Sequence, residues 1–335
     1  MKTKLYPIKL LGVTKSPIWS GVRLCRDFGK NADTAAVGES WELTVRRDEV
    51  CTVENGTWAG ERLDSLIDRL GDALTGGDFG SSDFPLLIKL IDAGDRLSVQ
   101  VHPDDTYAAR VENDRGKTEM WYIVEAEAGA EIICGLADGV DSEGFAKAVA
   151  DGKLESALKH QPVHAGETYF IPAGLAHAIG RGILIAEIQQ NCDLTYRVYD
   201  YNRRDANGNL RELHVAKALD VTRPFTNAEI DAVRYSQAKE EERDGELLAA
   251  CDFFRVKKLD LCGETRRVDR VGVMQHLLIL SSGLTLQCGG VSYPTQKGDS
   301  WLIPASLADV WLDGTGTVIV SAVKPKSPKN RNIQI

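Results

Sequence analysis

Residues 166–177 read GETYFIPAGLAH and residues 298–309 read GDSWLIPASLAD. The second phrase follows the first by 132 positions at both ends, so the register holds throughout, as a duplicated structural unit requires. The first copy ends on His177 and the second on Asp309. One copy can therefore bind a metal ion through an imidazole, and the other is expected not to. The pair predicts two related β-units with a single working site.

The surrounding sequence fits that expectation. Short apolar runs bounded by Gly, Pro and Asp recur as FPLLIKLIDA (84–93), MWYIVEA (120–126), TYFIPA (168–173), GILIAEIQ (182–189), HLLILS (276–281) and TVIVSAV (317–323). Runs of this length read as strands buried on at least one face. Helical patterns are fewer and include 61–74, Pro103 to about Asn113, 142–159 and 213–221. Gly129 and Cys134-Gly135 match Gly283 and Cys288-Gly289 at an offset of 154, which places an insertion between those strands and the Gly-x5-Pro phrase of the first unit. The helical pattern at 142–159 falls in that insertion. A polar, acidic stretch at 227–246 reads as the connection, and CDFFRVKKLDL (251–261) as the first strand of the second unit. The expected division is 1–235 and 236–335, two domains being the natural solution for 335 residues.

Composition narrows the function. A formal charge of −9 sets the overall field against phosphate backbones, so nucleic-acid binding is not expected, and an anionic substrate requires a local cluster of Lys and Arg. Pro7, Lys9, Thr14 and Lys15 interrupt the opening segment, and no run approaches membrane-spanning length, so neither a signal peptide nor a membrane partner is expected. The seven cysteines are scattered with no Cys-x2-Cys pair, which argues against a disulfide framework and a cysteine zinc site and points to the reducing cytoplasm. The sequence carries no signal for oligomeric state.

Candidate metal ligands come from two spaced motifs. Gly94, Gln100 and His102 form Gly-x5-Gln-x-His; Gly166, Pro172, Gly174 and His177 form Gly-x5-Pro-x-Gly-x2-His. Two residues apart on a strand, Gln100 and His102 point to the same face. Glu119 opens the apolar strand EMWYIVEA with a charge. Each residue has a plainer reading: His102 before Pro103 could simply open a helix, and Glu119 could be a solvated strand end. The joint occurrence of both motifs in order favours ligands. Two imidazoles, a carboxylate and an amide oxygen suit zinc, or less specifically iron or manganese, with a position left for water or substrate. His160, His164, His214 and His276 lack such spacing and read as structural or exposed. In the second unit Asp309 stands for His177 and, at the 154 offset, Val273 for Glu119. The two motifs resemble those of the cupin superfamily, with Gln where His is commoner. That resemblance implies a mainly β fold of two cupin-type (jelly-roll) β-barrels, with helical insertions mostly in the N-terminal half.

More specific phrases are PLLIKLIDAGDRLSVQVHPDD (85–105), GKTEMWYIV (116–124), IPAGLAHAIG (171–180) and YRVYDYNR (196–203). They resemble type I mannose-6-phosphate isomerase in its short bacterial form. The resemblance runs from IWSG (18–21) to LHVAKALDV (213–221) and weakens beyond. It implies one zinc ion held by Gln100, His102, Glu119 and His177, an active-site arginine at Arg197, substrate-binding lysines at Lys89 and Lys117, and a sugar phosphate as substrate. Aldose–ketose interconversion moves a proton between C2 and C1 through an enediolate, whose charge a Lewis-acidic metal and a fixed guanidinium would both stabilise. The base stays open between Lys117, if burial and the metal depress its pKa, and a metal-bound water. Lys89 is either a substrate contact or the partner of Asp92 or Asp95, and Arg203 and Arg204 read first as solvated. Two other readings remain: another metal-dependent cupin enzyme, such as a dioxygenase, and a non-catalytic sugar-phosphate binder.

Overall fold

A computed structural model describes residues 4–30, 33–77, 79–204, 207–238, 245–269 and 272–323. Positions 1–3 of the opening segment and 239–244 of the expected connection lie outside the described residues. Three large antiparallel sheets carry the fold. The first has six strands in the order Thr168–Ile171, Glu119–Ala126, Ile183–Gln190, Leu86–Ala93, Glu39–Leu43 and Val13–Lys15. The second has five: Leu158–Pro162, Glu131–Leu136, His177–Ile179, Val99–Val101 and Tyr196–Tyr199.

The third, nine-stranded sheet runs Glu246–Ala250, Phe254–Arg267, Val310–Val323, Gln275–Ile279, Ser300–Ile303, Ile8–Leu11 and Thr52–Val53, with Leu284–Cys288 and Val291–Pro294 attached beside Val310–Val323. The N-terminal strand Ile8–Leu11 thus pairs with Ser300–Leu302, so residues on both sides of a 235/236 division share one sheet.

The six-stranded sheet is covered on both faces, which is why its strands read as continuous apolar runs rather than alternations. Ile91, Trp121, Ile123, Ile171 and Ile185 meet Ile132 and Ile179 of the five-stranded sheet. On the opposite face, Ile88, Leu90, Met120, Tyr122 and Ile188 join Phe254, Val256, Leu278 and Ile319 of the nine-stranded sheet. Every residue of Leu86–Ala93 and Ile183–Gln190 is buried.

Strand order reveals the duplication directly. The run Thr168–Ile171, Glu119–Ala126, Ile183–Gln190, Leu86–Ala93 is repeated by Ser300–Ile303, Gln275–Ile279, Val310–Val323, Phe254–Arg267. Register refines the match and corrects two assignments. Ile171 faces Glu119, and Ile303 faces Gln275, so the counterpart of Glu119 is Gln275 and not Val273. The sequence match at 154 was taken across a connection that differs in length between the copies, and identity matching does not register that. Likewise His177 faces Cys134, whereas Cys288 faces Val310. Asp309 sits one residue earlier, at φ 57°, with a carboxylate oxygen 2.9 Å from the Arg267 guanidinium.

The helices depart from their sequence expectations at particular residues. The 61–74 pattern breaks at Gly71 into Leu63–Leu70 and Asp72–Thr75. Asp104 rather than Pro103 opens the next helix, its side chain accepting from the Tyr107 N–H as N-cap of Asp105–Val111. The 142–159 pattern is helical only over Ser142–Ala150, followed by a short 3-10 turn, Leu154–Ala157, and the edge strand Leu158–Pro162. Asn227–Arg234, read from sequence as connection, is a helix closed by a Thr226/Glu229 capping box. Among the described residues, no helix is long and apolar enough to cross a membrane.

One ion pair ties the N-terminal segment to the central strand. Asp92, with no exposed surface, accepts from the Arg23 backbone N–H at 2.7 Å and from Arg23 Nε at 2.7 Å, and lies 2.6 Å from Arg23 Nη2. Gly21 is required beside it, because a Cβ there would come within 2.2 Å of the carboxylate. Asp92→Ala leaves the largely covered Arg23 with only the Gly182 carbonyl and the more distant Glu125, and should lower the unfolding free energy by about 3 kcal/mol. Chemical denaturation monitored by circular dichroism checks this; a loss under about 1 kcal/mol would show that water replaces the carboxylate.

Candidate active site

Strand register assembles the site. In the five-stranded sheet His177 faces Gln100, and Gln100 faces Arg197 on its other side. Directly opposed residues of antiparallel strands project from the same face, so these three form one row across neighbouring strands. In the six-stranded sheet Glu119 faces Gln189, and the next row runs Trp121, Glu187, Lys89, Trp41. These rows share the face that carries Ile91, Ile123 and Ile185, and so look toward the five-stranded sheet across the core.

At the meeting point His102, Glu119 and His177 place one ligand atom each within 4.8 Å of one another. His102 Nε2 is 3.6 Å from Glu119 Oε2, His177 Nε2 is 3.5 Å from Glu119 Oε1, and the two Nε2 atoms are 3.1 Å apart. All three side chains are essentially without solvent exposure. The outward Nδ1 atoms are placed to donate to backbone carbonyls, His102 to Leu194 at 2.7 Å and His177 to Leu175 at 2.8 Å. This fixes the tautomer in which both Nε2 lone pairs point inward, the arrangement typical of metal-bound histidines. Burial lowers the pKa of His102 far below its ordinary value and that of His177 to about 4, so both rings are neutral near pH 7, the form that ligates. Two neutral imidazoles and one carboxylate converging in a dry pocket fit a divalent cation. Gln100 borders the group, its amide nitrogen 3.4 Å from His177 Nε2. A flip of that amide brings its oxygen to the same place.

The basic residues lie close by. Lys117 Nζ is 2.5 Å from Glu119 Oε2, 3.2 Å from His102 Nε2 and 4.0 Å from Glu187 Oε1. Burial opposes its charge, but the carboxylates of Glu119 and Glu187 outweigh burial and raise its pKa. The depressed pKa that a lysine base needs is therefore not supplied by burial; a dication held by Glu119 would remove part of the carboxylate support. Lys89 is paired with Glu39 and Glu187, each at 3.4 Å, with the Trp41 ring centroid 4.9 Å away. Its partners are thus not Asp92 or Asp95, which are held by Arg23 and Arg203.

Arg197 donates from Nη1 to the Glu212 carbonyl at 2.8 Å, its Nε is buried without a partner, and burial lowers its pKa. Arg203 is not solvated: it is engaged by Asp200 and Asp95, whereas Arg204 stays at a surface turn with the Gly208 carbonyl.

Sequence reasoning missed Glu187, Trp121 and the clamp on the Leu194 loop. Glu187 binds both lysines and receives the Trp121 indole N–H at 3.1 Å; the same indole reaches Glu119 at 3.0 Å. A carboxylate inside the buried run ILIAEIQQ was the available signal. In the clamp, the buried Arg46 donates to the Asn191 carbonyl at 3.0 Å and to Asp193 at 2.8 Å, and pairs with Asp114 at 2.6 Å.

Comparison with known proteins places the chain in a family. Residues 9–134 match the family described as phosphomannose isomerase type I, catalytic domain, and residues 244–323 match mannose-6-phosphate isomerase, cupin domain. A mannose-6-phosphate isomerase of Streptococcus mutans is 35% identical over 94% of this chain and 98% of its own length. The Bacillus subtilis mannose-6-phosphate isomerase ManA is 36% identical over 94% of this chain and 98% of its own. A crystal structure of the mannose 6-phosphate isomerase from Bacillus subtilis superposes with a TM-score of 0.84 at 34% identity, covering 95% of this chain and 99% of that one. Similarity of that extent, over more than nine-tenths of both chains, means that the chain belongs to the type I mannose-6-phosphate isomerase family.

Proposed function

We propose that this aldose–ketose isomerase converts D-mannose 6-phosphate to D-fructose 6-phosphate by proton transfer between C2 and C1 through an enediolate. The observation that carries the reading is the buried His102, Glu119, His177 group with Arg197 in the same cross-strand row as His177 and Gln100, in a chain of this family. His102, Glu119 and His177, with Gln100 as fourth ligand, would hold one zinc ion, which when bound supplies Lewis-acid polarisation of the sugar oxygens.

Arg197 provides a fixed cation in a half-dry setting, where interaction with a developing enediolate is stronger than in water. Its guanidinium stays protonated, so its part is electrostatic and not base catalysis. Lys117 and Lys89 are assigned to the substrate's oxygens. Both face Glu187, and Lys117 also lies against the Glu119 carboxylate. The seven unpaired cysteines favour a reducing, cytoplasmic setting. We also infer a division into a catalytic unit, 1–235, and a metal-free second barrel, 236–335, with the N-terminal strand exchanged into the latter's sheet.

A coupled assay of fructose 6-phosphate formation should show turnover that disappears on chelation and returns with Zn²⁺. Metal-loaded protein that binds mannose 6-phosphate and never turns it over would overturn the proposal. Arg197→Ala should lower kcat by about 10²- to 10³-fold with the bound metal retained, as measured by steady-state kinetics beside elemental analysis. Arg46→Ala should free the loop that orients His102 and weaken metal binding by about 10- to 100-fold, read from competition with a chromophoric chelator. Arg46→Lys, which keeps the charge but loses the fork, should recover only part of it.

A further inference from the structure

Lys117 reaches the active site from a segment that belongs to no strand or helix. The strand Glu119–Ala126 begins two residues later, and the helix Asp105–Val111 has already ended. Each backbone N–H from Gly116 to Thr118 is nevertheless taken. Gly116 donates to Asp105 Oδ1 at 2.8 Å, Lys117 to the Pro103 carbonyl at 3.0 Å, and Thr118 to Gln190 Oε1 at 2.8 Å. Two of these three acceptors are side chains, and they are themselves joined: Gln190 Nε2 donates to the same Asp105 Oδ1 at 3.0 Å.

Gln190 ends the strand Ile183–Gln190 and is almost fully buried. The register that sets Gln189 opposite Glu119 sets Gln190 opposite Thr118, where an antiparallel pair would exchange two main-chain hydrogen bonds. Only one is made. The Gln190 N–H donates to the Thr118 carbonyl at 3.1 Å, but the Gln190 carbonyl is turned to the Gln189 amide at 2.8 Å, and the Gln190 side-chain oxygen takes the Thr118 N–H in its place. Its neighbours fix the amide's orientation, because a flipped amide would set Nε2 against an N–H and Oε1 against a carboxylate. Gly116 lets the segment lie directly on the helix start; a Cβ there would come within 2.4 Å of the Asp105 nitrogen.

We propose that Gln190 is a positioning residue for Lys117, with Asp105 as its outer brace. The inference rests on the reading above that Lys117 meets the substrate's oxygens. Its ammonium is drawn to two carboxylates, Glu119 at 2.5 Å and Glu187 at 4.0 Å, and a flexible four-carbon stem sets no preference of its own between them. The backbone position that Gln190 and Asp105 impose limits how far Nζ reaches along that line. Gln189 shares the face of Glu119, so the side chain of Gln190 leaves the strand by the other face and acts through the backbone, without contact with the reacting atoms.

Steady-state kinetics with mannose 6-phosphate on the Zn²⁺-loaded full chain, with metal content measured alongside, tests this by a double-mutant cycle. Gln190→Leu should lower kcat/KM by about 10- to 100-fold with the metal retained. In a Lys117→Ala background the same substitution should change it by less than about twofold, since nothing is left to position. Asp105 is exposed, so Asp105→Ala spares the fold; it should lower kcat/KM by about threefold to tenfold, again only where Lys117 is present. Asp105→Asn, whose amide oxygen still accepts from both N–H groups, should recover most of that loss. Gln190→Glu keeps the acceptor for Thr118 but sets a carboxylate against Asp105, and should lose rate as Gln190→Leu does. Equal losses with and without Lys117, loss of metal in place of rate, or unaltered kinetics in both Gln190→Leu and Asp105→Ala would each overturn the proposal. If Gln190→Leu does not fold, the Asp105 variants carry the test in the same two backgrounds. A Lys117→Ala enzyme as fast as the unaltered one is a distinct result, which would overturn the reading of Lys117 and this inference with it.

Discussion

Glu119 carries a carboxylate with no exposed surface, and much of the site follows from having to keep that charge inside the protein. Desolvating a carboxylate costs several kcal/mol even after relaxation, so compensation has to be local. It comes from the Lys117 ammonium at 2.5 Å and from the Trp121 indole N–H at 3.0 Å. Lys117 needs a second carboxylate, Glu187, which in turn takes Lys89, which takes Glu39. The result is a buried chain of alternating sign. Removing one member strands its neighbour, so the group behaves as a unit whose single deletions do not add.

Antiparallel register makes such a chain affordable in sequence terms. Five of these residues lie on strands where every second side chain faces the five-stranded sheet, and alternate positions such as Ile88, Leu90, Met120, Tyr122 and Ile188 are apolar and pack with the nine-stranded one. The polar set therefore occupies a single face without interrupting the hydrophobic contact behind it. The nine-stranded sheet shows the same scaffold without the need: where Glu119 and Glu187 give way to Gln275 and Val320, there is no carboxylate to compensate, and Trp121 becomes Leu277. The glycine and proline turn of the repeated phrase persists because it serves the chain path, whereas the histidine does not.

This division explains what was legible in the sequence. His102, His177, Gln100 and Glu119 lie in short phrases whose spacing carries their geometry, so local reading located them. Trp41 and Glu39 enter the site only because their strand pairs with Leu86–Ala93 across a long loop, and no local pattern records that pairing. The exchange of Ile8–Leu11 into the nine-stranded sheet is hidden for the same reason. Other misses were avoidable. Thr226 with Glu229 is a capping box written in the sequence, and Gly71 is a visible break in an otherwise regular helical pattern. The choice of Val273 as the counterpart of Glu119 failed for a subtler reason: matching glycines fixes turns, and the strands leading into them can differ in length.

The two histidines are oriented by different kinds of anchor, which sets how the site responds to perturbation. The carbonyl that receives His177 Nδ1 belongs to Leu175, two residues earlier in the same tight turn, so that contact survives as long as the turn does. The carbonyl that receives His102 Nδ1 belongs to Leu194, in a separate loop with no regular structure of its own. That loop is held by Arg46 through the Asn191 carbonyl and the Asp193 carboxylate, and by the Gln189 amide through the Cys192 carbonyl. Two residues beyond Leu194 the chain enters Tyr196–Tyr199, the strand that carries Arg197. The segment that aims the His102 imidazole is therefore the same segment that sets the register of Arg197. A shift of this loop moves both together, so orientation of His102 and placement of Arg197 are coupled by covalent continuity over three residues rather than by any longer path through the core.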